Sequence, residues 1–167
     1  MMVEAWADAG VPGAVYSDDM AFRSGPMLNP RLMEDLYGDS LRRITATAHA
    51  LGMKMIVHTD GMVYPLLSWF ADCGFDGVHS LEPTAGVELA TAKELAGDRL
   101  CLVGNIDITR ILVDATREEV FAAVREAIQA AGKGGGYILS PTNSHPAMNR
   151  EWLRWMLEAA EEYSRYP

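Results

Sequence analysis

The stretch Met53-Lys54-Met55-Ile56-Val57-His58-Thr59-Asp60-Gly61 decides the fold. Residues Met53 to His58 predict a strand that is almost wholly apolar, as a parallel strand covered on both faces must be. Polar residues then arrive together, in His58-Thr59-Asp60-Gly61. Leu100 to Gly104 has the same character and runs into Gly104-Asn105-Ile106-Asp107. Gly13 to Ser17, Gly77 to His79 and Tyr137 to Ser140 complete five predicted strands.

Helical patterns fill the spaces between. Asn29-Pro30 reads as an N-cap with proline at the first helical position, followed by an apolar stripe of Leu32, Leu36, Leu41, Ile44, Ala48 and Leu51. That helix runs up to Gly52, with room for a break near Gly38. Leu66, Leu67 and Phe70 predict a short helix closed by Gly74, and Val87, Ala90 and Leu95 another closed by Gly97. Thr116 with Glu119 is a capping box, opening a helix through Val120, Val124 and Ile128 to Gly132. A last helix starts near Asn149 and carries Leu153, Met156, Leu157 and Ala160. One leading helix and five strand-helix units imply an α/β fold with a parallel sheet and right-handed crossovers. Either an open doubly wound sheet or part of a (β/α)8 barrel satisfies that order. At 167 residues the chain is too short for a whole barrel, which takes about 250. It is expected to form a single domain over 1–167.

Composition narrows the function. Hydrophobic residues make up 49% and charged residues 22%, as in an ordinary globular domain. Fourteen Lys and Arg against 23 Asp and Glu leave a net charge of −9, with no cationic cluster to hold a phosphate backbone. A nucleic-acid partner is therefore not expected. No apolar run approaches the roughly 18 residues of a membrane span, and the first residues carry no secretory signal pattern. Cys73 and Cys101 sit in apolar contexts without CxxC spacing, which suits buried thiols in a reducing cytoplasm.

Polar residues gather after the strands: Ser17-Asp18-Asp19, His58-Thr59-Asp60-Gly61, His79-Ser80-Leu81-Glu82, Asn105-Ile106-Asp107 and Ser140-Pro141-Thr142-Asn143-Ser144-His145. In a parallel sheet these ends share one face, where ligands bind in both candidate architectures. Three of the four histidines fall there, all but His49. Each residue also has a purely structural reading. Asp18 and Asp19 suit turn initiation, and Asp107 an N-cap. His58 and Asp60 alternate by two, which aims both side chains to one side as a metal pair or an acid/base pair. The same spacing also suits a strand-end histidine and a capping aspartate. His79 with Glu82 reads more readily as structural than as a site. Gly134-Gly135-Gly136 precedes a strand, so it is a flexible entry and not a phosphate loop. No GxGxxG, GxxxxGK[ST] or GxSxG motif occurs.

The chain resembles the C-terminal half of the uroporphyrinogen decarboxylase superfamily. The resemblance runs through Ser17-Asp18-Asp19-Met20-Ala21-Phe22, His58-Thr59-Asp60-Gly61, Gly74-Phe75-Asp76-Gly77 and Leu81-Glu82-Pro83. It continues in Gly97-Asp98-Arg99-Leu100, Gly104-Asn105-Ile106-Asp107 and Gly135-Gly136-Tyr137-Ile138-Leu139-Ser140. It implies the last five strand-helix units of a (β/α)8 barrel. It also implies either zinc-dependent methyl transfer between corrinoid proteins and thiols or porphyrinogen decarboxylation.

His58 matches the histidine of the methyltransferases' His-x-Cys zinc motif. Asp60 stands where that motif has cysteine, and Asn143 lies near the later zinc cysteine. Asp19 matches the family's aspartate after the first of these strands. The expected site is Asp19, His58, Asp60, Asn143 and His145: His58 and Asp60 as a metal or acid/base pair, Asp19 and Asn143 orienting substrate, and His145 contributing. Metal ligands would be His58 and Asp60 with Glu82 as a candidate third, taking zinc or another, harder divalent ion. A corrinoid borne by a partner would carry the methyl group, and the substrate would be a small molecule. Decarboxylation needs cations for a polycarboxylate, and only Arg23, Arg110 and Arg150 lie near this face, so the methyltransferase-like branch is favoured. A non-catalytic half-barrel is the alternative outside enzymes. Two open strand edges predict a homodimer, or pairing with an N-terminal half.

Overall fold

The computed structural model describes residues 2–96, 98–144 and 148–164, so Gly97 and His145 lie outside the described residues. The elements are α1 (Met2–Asp8), β1 (Gly13–Ser17), β2 (Ala21–Phe22), β3 (Gly25–Pro26), α2 (Pro30–Met33), α3 (Asp39–Ala50), β4 (Lys54–Thr59) and α4 (Leu67–Asp72). After these come β5 (Gly77–Ser80), α5 (Leu89–Ala96), β6 (Cys101–Ile106), α6 (Ile111–Asp114), α7 (Arg117–Ala131), β7 (Tyr137–Pro141) and α8 (Arg150–Tyr163). The five predicted strands form one sheet in the order β1-β4-β5-β6-β7, every neighbouring pair parallel. Met55, Val57, Val78 and Leu102 are buried from this sheet into the main core, together with Leu41, Phe70, Val120 and Val124 from the helices. Along β4 burial alternates, so Ile56 and His58 look to the opposite, half-open face.

Helix ends follow the sequence signals. Asn29 Oδ1 accepts the Arg31 N–H, the Thr116–Glu119 capping box closes reciprocally, and Asn149 Oδ1 accepts the Glu151 N–H. Two apolar stripes differ from expectation. Leu32, Leu36 and Leu51 are exposed, while Met33, Leu41, Thr45 and Ala48 point inward. For Leu32 and Leu36 the cause is a π-helical segment, Glu34–Gly38, joining α2 to α3 without a break, while Leu51 stands at the C-cap beyond α3. Its wider turn shifts the phase of everything before it, which a 3.6-residue period cannot anticipate. In α5 the inward residues are Leu89, Ala92 and Ala96; Ala90 and Leu95 face out because the helix starts two residues later than Val87.

The short antiparallel pair β2/β3, which no apolar run announces, folds over the C-terminal end of β4. Met62 donates its N–H to Phe22 O at 2.9 Å, and the Arg23 guanidinium donates to Thr84 O. Gly61 turns beneath this hairpin with φ of +92°, and a Cβ there would lie 2.5 Å from Ala21 O. Only glycine meets both demands. Gly61→Ala is expected to destabilise the protein by at least ~1–3 kcal/mol, read as a lowered midpoint in urea unfolding.

At the other end of the sheet, Asp76 ties three elements together. Its carboxylate accepts from the Met55 N–H at 2.8 Å, from Lys54 Nζ at 2.7 Å and from His49 Nε2 at 2.8 Å. Burial by itself raises this carboxyl, but those three donors together hold it below its ordinary 3.8. A group whose folded pKa is depressed contributes in full above its unfolded pKa and loses that contribution as pH falls through the folded one. Asp76→Asn is therefore expected to cost about 1.5–3 kcal/mol at neutral pH. The gap from wild type should close on acidification below 3.8, as followed by urea unfolding across pH.

Candidate functional site

The site is built where β4 and β5 end. Their parallel register sets His58 directly beside His79, each one residue short of its strand's end. Neighbours in a parallel ladder project to the same side, so the two rings meet. Their centroids are 4.8 Å apart, and Nδ1 of one lies 2.7 Å from Nδ1 of the other. On its far side His79 Nε2 is 3.0 Å from the carbonyl oxygen of Pro141, at the end of β7, and 3.3 Å from Ser140 Oγ. Burial pushes the His79 imidazole below its ordinary value, and neighbouring His58 pushes the same way; the Pro141 carbonyl and Asp60 oppose them.

The loop after β1 is pinned to the same place. Asp18 donates its N–H to His58 O at 3.1 Å, and Met20 donates its N–H to the buried Thr59 hydroxyl at 2.8 Å. These bonds bring Asp19 alongside, where its Oδ1 accepts the Asp60 N–H at 3.4 Å. One ligand atom from each of Asp19, His58 and Asp60 lies within 4.8 Å of the others, the only such group of three among the described residues. His58 Nε2 is 4.0 Å from Asp60 Oδ1. Asn143 reaches in from the segment after β7 and donates its Nδ2–H to Asp60 Oδ2 at 2.9 Å. The other oxygen, Asp60 Oδ1, is buried without a hydrogen-bond partner among the described residues. A buried carboxylate oxygen left bare is costly unless a cation takes it, so the donor set fits a divalent ion of oxygen and nitrogen preference.

Of the residues singled out from sequence, Asp19, His58, Asp60 and Asn143 come together. Glu82 is close but differently engaged: its Oε2 accepts the Gly61 N–H at 2.8 Å and so holds the turn after Asp60. It is not one of the three converging ligand groups. Asp107 caps, accepting the Thr109 N–H and hydroxyl at 2.7 Å each, and Asn105 donates to Leu81 O at 3.0 Å. His79, which the sequence reads more readily as structural, stands inside this cluster. The signal for it lies in the matched positions of two histidines near the ends of consecutive parallel strands.

Comparison with known proteins places the chain in a family. The family model for uroporphyrinogen decarboxylase (URO-D) matches residues 1–163. The methylcobamide:CoM methyltransferase MtaA of Methanosarcina barkeri is 29% identical over 163 residues, covering 97% of this chain and 44% of that protein. A uroporphyrinogen decarboxylase of Methylococcus capsulatus is 29% identical over 99 residues, 59% of this chain and 27% of that one. Among solved structures, a methyltransferase from Methanosarcina mazei aligns with a TM-score of 0.80 at 25% identity, covering 98% of this chain and 45% of its own. The chain thus spans less than half the length of these relatives, and its five β/α units are part of a barrel of their type. Matched from residue 1 to residue 163, and similar along nearly its whole length to methyltransferases, the chain belongs to the uroporphyrinogen decarboxylase (URO-D) family.

Proposed function

We propose that this chain carries the metal site of a methyltransferase-like URO-D family enzyme. In this reading His58, Asp60 and Asp19 hold a divalent ion that assists transfer of a methyl group from a partner-borne corrinoid to a small thiol. The observation that supports it most is the convergence of three ligand groups, one of them Asp60, whose buried Oδ1 has no hydrogen-bond partner among the described residues. A relative similar along nearly the whole chain is named for methyl transfer from methylcobamide to CoM. Bound there, the ion supplies Lewis acidity that lowers the pKa of a thiol and yields a nucleophile at neutral pH.

The chain's own residues prepare that chemistry. Asn143 holds Asp60 through Oδ2 and leaves Oδ1 to face the ion. Glu82 fixes the Gly61 turn, and the β1 loop delivers Asp19. With Asp60 where the relatives' motif has cysteine, the shell is harder than a thiolate one and accepts manganese as well as zinc. Arg23, one of the few cations near this face, donates to the Thr84 carbonyl. That engagement weakens the case for binding a polycarboxylate.

Elemental analysis of tag-free protein tests the reading. About one zinc or manganese per chain is expected in wild type. His58→Ala, folded by circular dichroism, should lose it. Demethylation of methylcobalamin by a thiol should appear only in the loaded wild type. No metal in either protein, or turnover of uroporphyrinogen instead, would overturn it.

The assembly proposal is a homodimer in the cytoplasm. β1 and β7 form the edges of the sheet, and Val15 and Ile138 on them are 54% and 50% exposed. Beside β1 a groove of 660 Å³ is lined by Val3, Trp6, Val15, Ile44 and Met55 among others. Unpaired strand edges with apolar flanks favour pairing with a second chain. Light scattering is expected to give twice the monomer mass, and a monodisperse monomer at high concentration would count against it. Among the described residues no helix is long and apolar enough to cross a membrane.

A further inference from the structure

Two facts about the histidine pair settle where its hydrogens sit. A carbonyl oxygen only accepts, so the 3.0 Å contact from His79 Nε2 to Pro141 O requires a hydrogen on that nitrogen. Ser140 Oγ donates its own hydrogen to the same carbonyl at 3.0 Å, so it does not compete as a donor to His79. A neutral His79 with hydrogen on Nε2 has a bare Nδ1. The 2.7 Å contact between the two Nδ1 atoms then requires His58 to donate, which places the hydrogen of a neutral His58 on Nδ1 and leaves its Nε2 bare. That nitrogen is the one 4.0 Å from Asp60 Oδ1.

We infer that His79 is a positioning residue: through its hydrogen bonds to Pro141 O and His58 Nδ1 it holds His58 in the tautomer whose Nε2 lone pair faces Asp60. The inference rests on the metal-site reading for its purpose, but not for its geometry. The relay from a fixed backbone carbonyl imposes the Nδ1–H tautomer on His58. The second partner of a ligating histidine commonly fixes its tautomer and ring orientation, and its loss typically weakens metal affinity about 10–100-fold. Here that partner is another histidine, itself anchored to the strand at the far edge of the sheet. The site is thereby wired from β4 through β5 to β7.

Long-range proton–nitrogen correlation spectra of the metal-free full chain at neutral pH test the relay directly. The expected result is hydrogen on His58 Nδ1 and on His79 Nε2, with bare nitrogen at His58 Nε2 and His79 Nδ1. Hydrogen on His58 Nε2 would overturn the inference. In zinc titrations His79→Phe should weaken binding about 10–100-fold. His79→Asn, whose amide oxygen replaces the Nδ1 acceptor, should restore most of it and keep the His58 tautomer. Equal affinity for wild type and His79→Phe would overturn the positioning role. A wild type with the expected tautomers but no zinc binding would instead sink the metal reading and leave the relay standing.

Discussion

The parallel register between β4 and β5 is the constraint on which the site depends. Pairing Ile56 with Gly77 sets His58 against His79 two residues later, and a slip of one residue would turn one ring into the helical layer. On its other side β5 pairs closely with β6 because Gly77 has no side chain; a Cβ there would sit 2.7 Å from Cys101 O. Asp76, immediately before it, locks the same alignment by accepting the Met55 N–H. Structural bonds at the base of the sheet therefore determine the chemistry at its top.

From that register the rest of the site is assembled by short, local bonds. The Thr59 hydroxyl holds Met20, the His58 carbonyl holds Asp18, and Asp19 is carried in between them. Glu82 and the β2/β3 hairpin close on Gly61 from opposite sides, which stops the chain from drifting after Asp60. No group in the site relies on a long flexible side chain. Such rigidity suits ligands that must converge to within a few ångströms.

The strands were legible because buried parallel strands read as apolar runs ending abruptly in polar residues, and all five begin within a residue of where the pattern puts them. The two-residue strands of the hairpin have no such run. The π segment at Glu34–Gly38 breaks the period on which helix faces are read, so Leu32 and Leu36 were assigned inward and lie outside. In the site, the His58–Asp60 pair shows itself through spacing alone. The contribution of Asp19 comes from 41 residues earlier in the chain, and that of Asn143 from 83 later. His79 showed itself only as a second histidine near a strand end, since the register that pairs it with His58 is a property of the folded sheet. Glu82, expected as a third ligand in place of a thiolate, gives its Oε2 to the Gly61 amide, a bond that spacing does not announce.

The converging groups Asp19, His58 and Asp60 are carboxylates and an imidazole, and none of them contains sulfur. Peroxide and disulfide exchange, which attack thiolates, find nothing to react with there. The two cysteines are no substitute target: Cys73 is buried, its thiol pushed up to about 11, and burial raises Cys101 as well. Both stay protonated and poorly nucleophilic at neutral pH. Carboxylate and imidazole groups do not depend on a reducing environment to remain intact, so oxidants directed at thiols leave these three side chains unchanged.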